Sequence, residues 1–282
     1  MLDLAVPQRV RPQERDRPQP RLRNARIVGA VLVWITAVLI LDHSLGAHGA
    51  SLAAQRWLGV GTWVLLALLL AREPIRIRAQ VGVVVAFATL VEYTFSYELH
   101  VYVYRLHNVP WFVPPGHGLV YLGALAIGRS PAVTSRARVL VPLTLAIAGA
   151  YAFWGLFLSG RQDLLGVLWF GCLAAFLLRG RQPTVFVGAF VVVTYLELLG
   201  THLGTWTWQV RDPIAHLISM GNPPSGAAGG YGFFDAAALA LAPRIDAVLS
   251  GYGRRRRERA EHGVVEQPVA AHHAAAVGSV DA

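Results

Sequence analysis

The chain has 282 residues, of which 55% are hydrophobic and only 15% charged, a balance too apolar for a soluble domain and a length too great for one anchored helix. All 25 basic residues are arginine, and the net charge is +9; the arginines fall between apolar runs, where membrane topology needs them, so the basic balance implies no nucleic-acid partner. The single cysteine, Cys172, lies inside an apolar run, which excludes a disulfide framework or a cysteine metal cluster and leaves core filler as its role.

Residues 1–25 are rich in proline and arginine and read as a disordered basic arm. With that arm in front of it and no small-residue cleavage site behind it, the first apolar run reads as an anchor, not a removed leader. Measured against the roughly 17 to 25 residues that cross a bilayer, the apolar runs predict eight spans, at about 26 to 42, 55 to 71, 79 to 98, 116 to 128, 137 to 158, 164 to 178, 184 to 200 and 226 to 249. The fourth is short, consistent with a tilted or half-buried helix. The tail, 251–282, is rich in alanine and mixed in charge and reads as disordered; His272 and His273 within it carry no metal spacing.

Arginines orient the bundle. Those of the N-terminal arm, Arg72, Arg76 and Arg78 after span two, Arg129, Arg136 and Arg138 after span four, Arg179 and Arg181 after span six, and Arg254 to Arg257 after span eight all fall on one side only if the fourth run crosses. The expectation is an all-α membrane protein of a bacterial inner membrane with both termini cytoplasmic. On this orientation "HNVPWFVPPGHGLVY", His107 to Tyr121, faces the extracytoplasmic side.

An internal repeat organises the chain. "VGVVVAFATLVEYTFSYELHVYVY" and "FVGAFVVVTYLELLGTHLGTWTW" each carry a threonine three residues before a glutamate (Thr89 and Glu92; Thr194 and Glu197). Each then has an aromatic-x-aromatic pair (Tyr102 and Tyr104; Trp206 and Trp208), a proline pair (Pro114 and Pro115; Pro223 and Pro224) and a tyrosine (Tyr121; Tyr231). The expected organisation is therefore a tandem 4+4 duplication, residues 26–130 and 131–250. An even number of spans per half makes the repeats parallel, about an axis along the membrane normal.

Matching intramembrane carboxylates are the main chemical signal. Glu92 and Glu197 each lie ~20 Å along a helix entered from the cytoplasm, where a glutamate needs a partner and a functional role is the first reading. A hydrogen bond locking the two halves together is the structural alternative. Asp235, on the last span, is expected near them at the pseudo-twofold axis. His117, at the first turn of span four, is either a base or ligand, or a plain cap on the helix start. The outer loops add Glu98, His100, Arg105, His107, His202, Arg211, Asp212, His216 and Asn222, while His43 and His48 read as interfacial. Tyr102, Tyr104, Trp111, Trp206 and Trp208 fit an aromatic belt at the interface; the alternative is that they line an apolar pocket and stabilise a cation. There is no HExxH, no paired HxxxH or HxxHH set, no CxxC, no GxSxG and no nucleotide-binding loop, so no metal is predicted and no cofactor is specified.

The glutamate late in an apolar helix, followed by glycine, an aromatic-x-aromatic pair and a proline-bearing loop, "ELLGTHLGTWTW" and then "GNPPSG", resembles the integral-membrane carotenoid-synthesis family that includes carotenoid hydratases. The resemblance implies a membrane enzyme acting on a lipid or isoprenoid chain, of hydratase or cyclase type. Protonating an alkene needs an acid held in an apolar pocket, a part open to Glu92 or Glu197; a second carboxylate, Asp235 or His117 would take the balancing proton. Tyr102, Tyr104, Trp206, Trp208, Asn222, Tyr121 and Tyr231 would hold the substrate and face its cationic centre. Two other classes stay open: a proton-coupled carrier or lipid flippase, and a non-catalytic assembly partner whose outer polar residues would not converge on one pocket. A homo-oligomer is compatible with all three.

Overall fold

The computed structural model describes residues 20–47, 52–241 and 244. His48, the arginine run after span eight, His272, His273 and most of both expected disordered tails lie outside the described residues. A helix occupies each apolar segment: α1 (Pro20–Ala47), α2 (Leu52–Leu70), α3 (Ile75–Glu92), α4 (Val113–Gly128), the short α5 (Pro131–Thr134), α6 (Ala137–Phe157), α7 (Leu164–Arg179), α8 (Pro183–His202) and α9 (Ala227–Leu241). Among the described residues, four stretches are long and apolar enough to cross a membrane: Arg21–Leu45 of α1, and the whole of α2, α6 and α8.

Prolines mark the helix starts. Pro74 precedes α3, Pro114 and Pro115 sit in the first turn of α4, and Pro183 opens α8. Each occupies a turn whose N–H groups have no intrahelical acceptor, so the missing donor is harmless and the fixed φ suits the helix. The proline pair in "PWFVPPGHG" thus launches a helix instead of interrupting one. Pro142 lies inside α6, a position tolerated where neighbouring groups re-satisfy the freed carbonyl.

α4 is the centre of the bundle. It is apolar on every side, and from Leu119 to Ala126 every residue is buried, as expected of a helix wrapped by others. α1, α2, α3 and α8 all pack on it. The α8 crossing is close: a Cβ at Gly188 would fall 2.3 Å from the Ala124 carbonyl oxygen, and one at Gly128 would fall 2.7 Å from Cα of Val185. Small residues at these crossings let the backbones meet where lipid supplies no hydrophobic drive between helices.

The segments that follow α3 and α8 are not plain connectors. After a π-helical turn at Tyr93–Glu98, the chain forms β1 (Tyr102–Tyr104), which pairs antiparallel with β2 (Trp206–Trp208). The register sets Tyr102 opposite Trp208, Val103 opposite Thr207, and Tyr104 opposite Trp206. Since side chains alternate along a strand, the four aromatics share one face and turn inward, while Thr207 is exposed on the other. Buried Asp163 then fixes the second half of this end. Its Oδ1 accepts the amides of Gly166 and Gly221, both at 2.9 Å, and its Oδ2 accepts the amide of Ser225 at 2.6 Å and its hydroxyl at 2.8 Å, joining the start of α7 to the loop before α9.

Gly188→Ala places a methyl group against the Ala124 carbonyl and is expected to lower the midpoint of thermal unfolding in detergent by the equivalent of about 1 to 3 kcal/mol. Gly171→Ala, where a Cβ meets nothing within 4 Å, should leave the midpoint unchanged or slightly raised. Equal midpoints for the two variants would contradict the close α4 to α8 crossing.

Candidate functional site

Beneath the ribbon lies a cavity of about 560 Å³, within the range of small-molecule sites. Its walls are almost wholly apolar and come from α1, α3, α4, α7, α8 and α9; the inward faces of β1 and β2 bring Tyr102, Tyr104, Trp206 and Trp208. Two carboxyl groups and an imidazole project into this apolar space from the helices: Glu92, Glu197 and His117. All three are buried.

The two glutamates hold different partners. Glu92, the last residue of α3, accepts the Tyr104 hydroxyl on Oε2 at 2.8 Å, and its Oε1 lies 2.8 Å from Nε2 of His117. Glu197, in the last turns of α8, accepts two indole N–H groups on Oε2, from Trp206 at 3.1 Å and Trp208 at 3.2 Å. Gly200 makes that reach possible, because a Cβ there would sit 1.9 Å from the Trp206 ring. Oε1 takes neither indole, and the Tyr231 hydroxyl is also within hydrogen-bonding reach of the Glu197 carboxyl.

His117 lies within the first turns of α4 without capping it; Phe112 is the N-cap residue, and no side chain caps that end. Its ring stacks on Tyr231 of α9 at 5.0 Å between centroids and meets Phe234 edge-on at 5.2 Å. Nε2 faces Glu92, and Nδ1 has no partner among the described residues. A histidine ordered by a carboxylate on one nitrogen and bare on the other is arranged as a base.

Of the residues picked out from the sequence, Glu92, Glu197, His117, Tyr102, Tyr104, Trp206, Trp208 and Tyr231 line the cavity. Of the residues given a catalytic or substrate-holding part, three do not, Asp235, Tyr121 and Asn222, whereas Asp212 of the outer-loop set does. Asp235 is one helical turn along α9 from Tyr231, and Tyr121 one turn along α4 from His117. Both are buried below the cavity, Asp235 with Oδ2 and Tyr121 with its hydroxyl unpartnered among the described residues. Asp235, expected near the glutamates, is not among the residues that line the cavity with them; an i, i+4 step keeps the face of the helix but moves about 6 Å along it. The Asn222 side chain accepts the Trp208 amide at 2.9 Å and so braces the ribbon. The four ribbon aromatics are buried pocket walls, not an interfacial belt. Trp111, half exposed with the Arg56 guanidinium 5.3 Å from its ring centre, keeps the surface role.

Two supports escaped the sequence reading. Asp42, buried at the end of α1, pairs with Arg105 at 2.8 Å and accepts Gln55 Nε2 at 3.0 Å, and the Gln55 carbonyl oxygen accepts Asn108 Nδ2 at 2.8 Å; together they anchor the loop after β1. Asp163 was overlooked as well, although an aspartate directly before an apolar run is a helix-start signal. Among the described residues, no three His, Cys, Asp or Glu side chains gather as the ligands of an ion would. Comparison with protein-family profiles, curated proteins and solved structures finds no match, so the site is read from its own chemistry.

At the mouth of the cavity, Asp212 accepts four backbone amides: Ile218 at 2.8 Å, Ala215 at 2.6 Å, Leu217 at 2.7 Å and His216 at 3.1 Å. These bonds favour the charged carboxylate and hold its pKa down to about 2. A carboxyl depressed on folding lends its stability in full above the ordinary carboxylate value and loses it as pH falls through the folded one. Protection of the Ala215 and Leu217 amides against hydrogen exchange, relative to their intrinsic rates, should therefore fall as pH drops from about 4 through about 2, and in Asp212→Ala these amides should exchange rapidly over the whole interval. Unchanged protection in the native chain would show that the carboxylate does not hold the loop.

Proposed function

We propose that this chain is a polytopic membrane enzyme that acts on a lipid or isoprenoid substrate by acid/base catalysis from the extracytoplasmic side, protonating an alkene and leading to hydration or cyclisation. The observation that carries this reading is the convergence of two differently partnered carboxylates and a histidine on one aromatic, apolar cavity. An assembly partner has no need of such convergence. A carrier built on two equivalent carboxylates would surround them alike, whereas here imidazole meets one and two indoles meet the other.

In hydration, Glu197 donates its carboxyl proton to one alkene carbon, and the π electrons form the new C–H bond. The adjacent carbon becomes cationic among the faces of Tyr102, Trp206, Trp208 and Tyr231, whose quadrupoles favour positive charge. Water attacks that carbon and releases a proton to Nδ1 of His117, while Glu92 stabilises the imidazolium from the other nitrogen. Returning the proton from His117 to Glu197 completes the cycle. Cyclisation shares the first step, with an intramolecular alkene replacing water as nucleophile and a C–H proton going to the base.

The frame that suits this reading is eight crossings in two parallel halves with both ends cytoplasmic, in a bacterial inner membrane. It is supported by a helix at each apolar segment, by the side on which the arginines collect, and by a ribbon whose central pair, Val103 and Thr207, lies where a local twofold between the halves would pass.

Mass spectrometry of lipid extracts should reveal a lipid lost when the gene is deleted, with its precursor accumulating. Glu197→Gln keeps a carbonyl for the indoles but loses the acid, and conversion should fall by about 100-fold or more; Glu92→Gln and His117→Ala should fall comparably. Full activity in both glutamine variants, or an unchanged lipid profile on deletion, would overturn the proposal.

A further inference from the structure

The loop from Val210 to Ile218 presents apolar side chains where a water-facing connector would hide them. Val210 is 62% exposed, Ile214 71% and Leu217 74%. Much of its backbone, by contrast, is bonded within the loop. Asp212 accepts the four amides already described, the Asp212 amide donates to the Ile218 carbonyl at 2.9 Å, the Met220 amide to the Val210 carbonyl at 3.0 Å, and Arg211 Nη1 to the His216 carbonyl at 3.2 Å. Amides mostly bonded within the loop and apolar side chains turned outward suit a segment at the interfacial layer, where water still reaches the remaining carbonyls.

The position of this loop adds a second, independent indication. It connects β2, just after the membrane-length helix α8, to α9, and its Pro213, Ile214 and Ile218 border the cavity. Its base is rigid, because the Arg161 guanidinium bonds to the carbonyls of Trp208, Gln209 and Met220. Arg211 and His216 are exposed beside the apolar side chains, where a cation meets lipid phosphate in the interfacial layer.

We infer that residues 210–218 are seated in the interfacial layer of the bilayer and form the port through which a long apolar lipid chain reaches the cavity. Apolar side chains that would be a liability in water are there immersed in acyl chains, and the cavity wall continues from the same loop without crossing an aqueous gap. The membrane seat stands on the loop's own geometry; the port rests on the proposed enzymatic reading and narrows its substrate to a molecule with a membrane-dissolved chain.

The seat is tested by attaching a nitrobenzoxadiazole fluorophore to Leu217→Cys in a Cys172→Ser background, reconstituted in phosphatidylcholine vesicles. Nitroxide lipids labelled high on the acyl chain should quench it strongly and aqueous iodide weakly, with the reverse at Glu98→Cys, an exposed outer-loop control. Iodide quenching as strong at 217 as at 98 would overturn the seat. The port is tested with a diazirine-bearing alkyl lipid: photolysis should label Phe234 and Trp169 in the cavity, and Leu217→Asp should reduce that labelling several-fold while labelling of the lipid-facing Leu178 on α7 stays constant. Unlabelled cavity residues in the native chain, or labelling indifferent to Leu217→Asp, would overturn the port. Neither readout needs turnover, so a failed enzymatic reading appears separately, as an unchanged lipid profile.

Discussion

A carboxylate buried among apolar helices must be given hydrogen-bond donors, and most of this architecture follows from that requirement for Glu92 and Glu197. Neither helix carrying a glutamate can supply donors from its own backbone, which is spent on the helix itself. Most of the donors come from the β1 and β2 ribbon, and Nε2 of His117 on α4 adds one for Glu92. Tyr104 supplies a hydroxyl to one glutamate, and Trp206 and Trp208 supply indoles to the other. Because donors and cavity walls are the same aromatic residues, the ribbon satisfies the acids and shapes the apolar space above them at once.

That arrangement is only as precise as its supports. On the first half, the Asp42, Arg105, Gln55 and Asn108 network holds the loop after β1 to the ends of α1 and α2. On the second, Asp163 and Arg161 hold the loop after β2, and Asn222 fixes the Trp208 backbone. The tight α4 to α8 crossing sets the distance between the helix bearing His117 and the helix bearing Glu197, since glycine at 128 and 188 leaves no side-chain bulk to yield. The other end of the bundle has its own anchor: Arg129 forks onto buried Glu73 at 2.9 and 3.1 Å and bonds Asn24 at 2.8 Å, tying the foot of α4 to the turn before α3 and to α1.

The two glutamates differ in their surroundings in a way that bears on chemistry. Glu197 is followed three residues later by Gly200, which admits a tryptophan ring; the equivalent distance from Glu92 is one short of Ser96, inside a widened π turn. The first half instead brings His117 to its glutamate, and "PPSGA" in the second half has no histidine to match. One carboxylate thus faces a base and the other two donors, a difference of partners between similar sequence positions.

Much of this was legible in the linear sequence. Unbroken apolar runs of the right length leave a helix as the only backbone arrangement that satisfies its own polar groups, so the segments, the proline-marked starts and the paired Glu and aromatic-x-aromatic motifs were all visible. The short fourth run was legible as a helix but not as the hub, because centrality depends on neighbours. Tertiary structure decided the partners: strand register, not spacing, put Tyr102 opposite Trp208 and turned a presumed interfacial belt into cavity walls, and one helical turn left Asp235 and Tyr121 out of the cavity lining. Hydrogen bonds and cavities are set by distances of a few ångströms between segments remote in sequence, whereas periodicity and composition report only what each segment must bury.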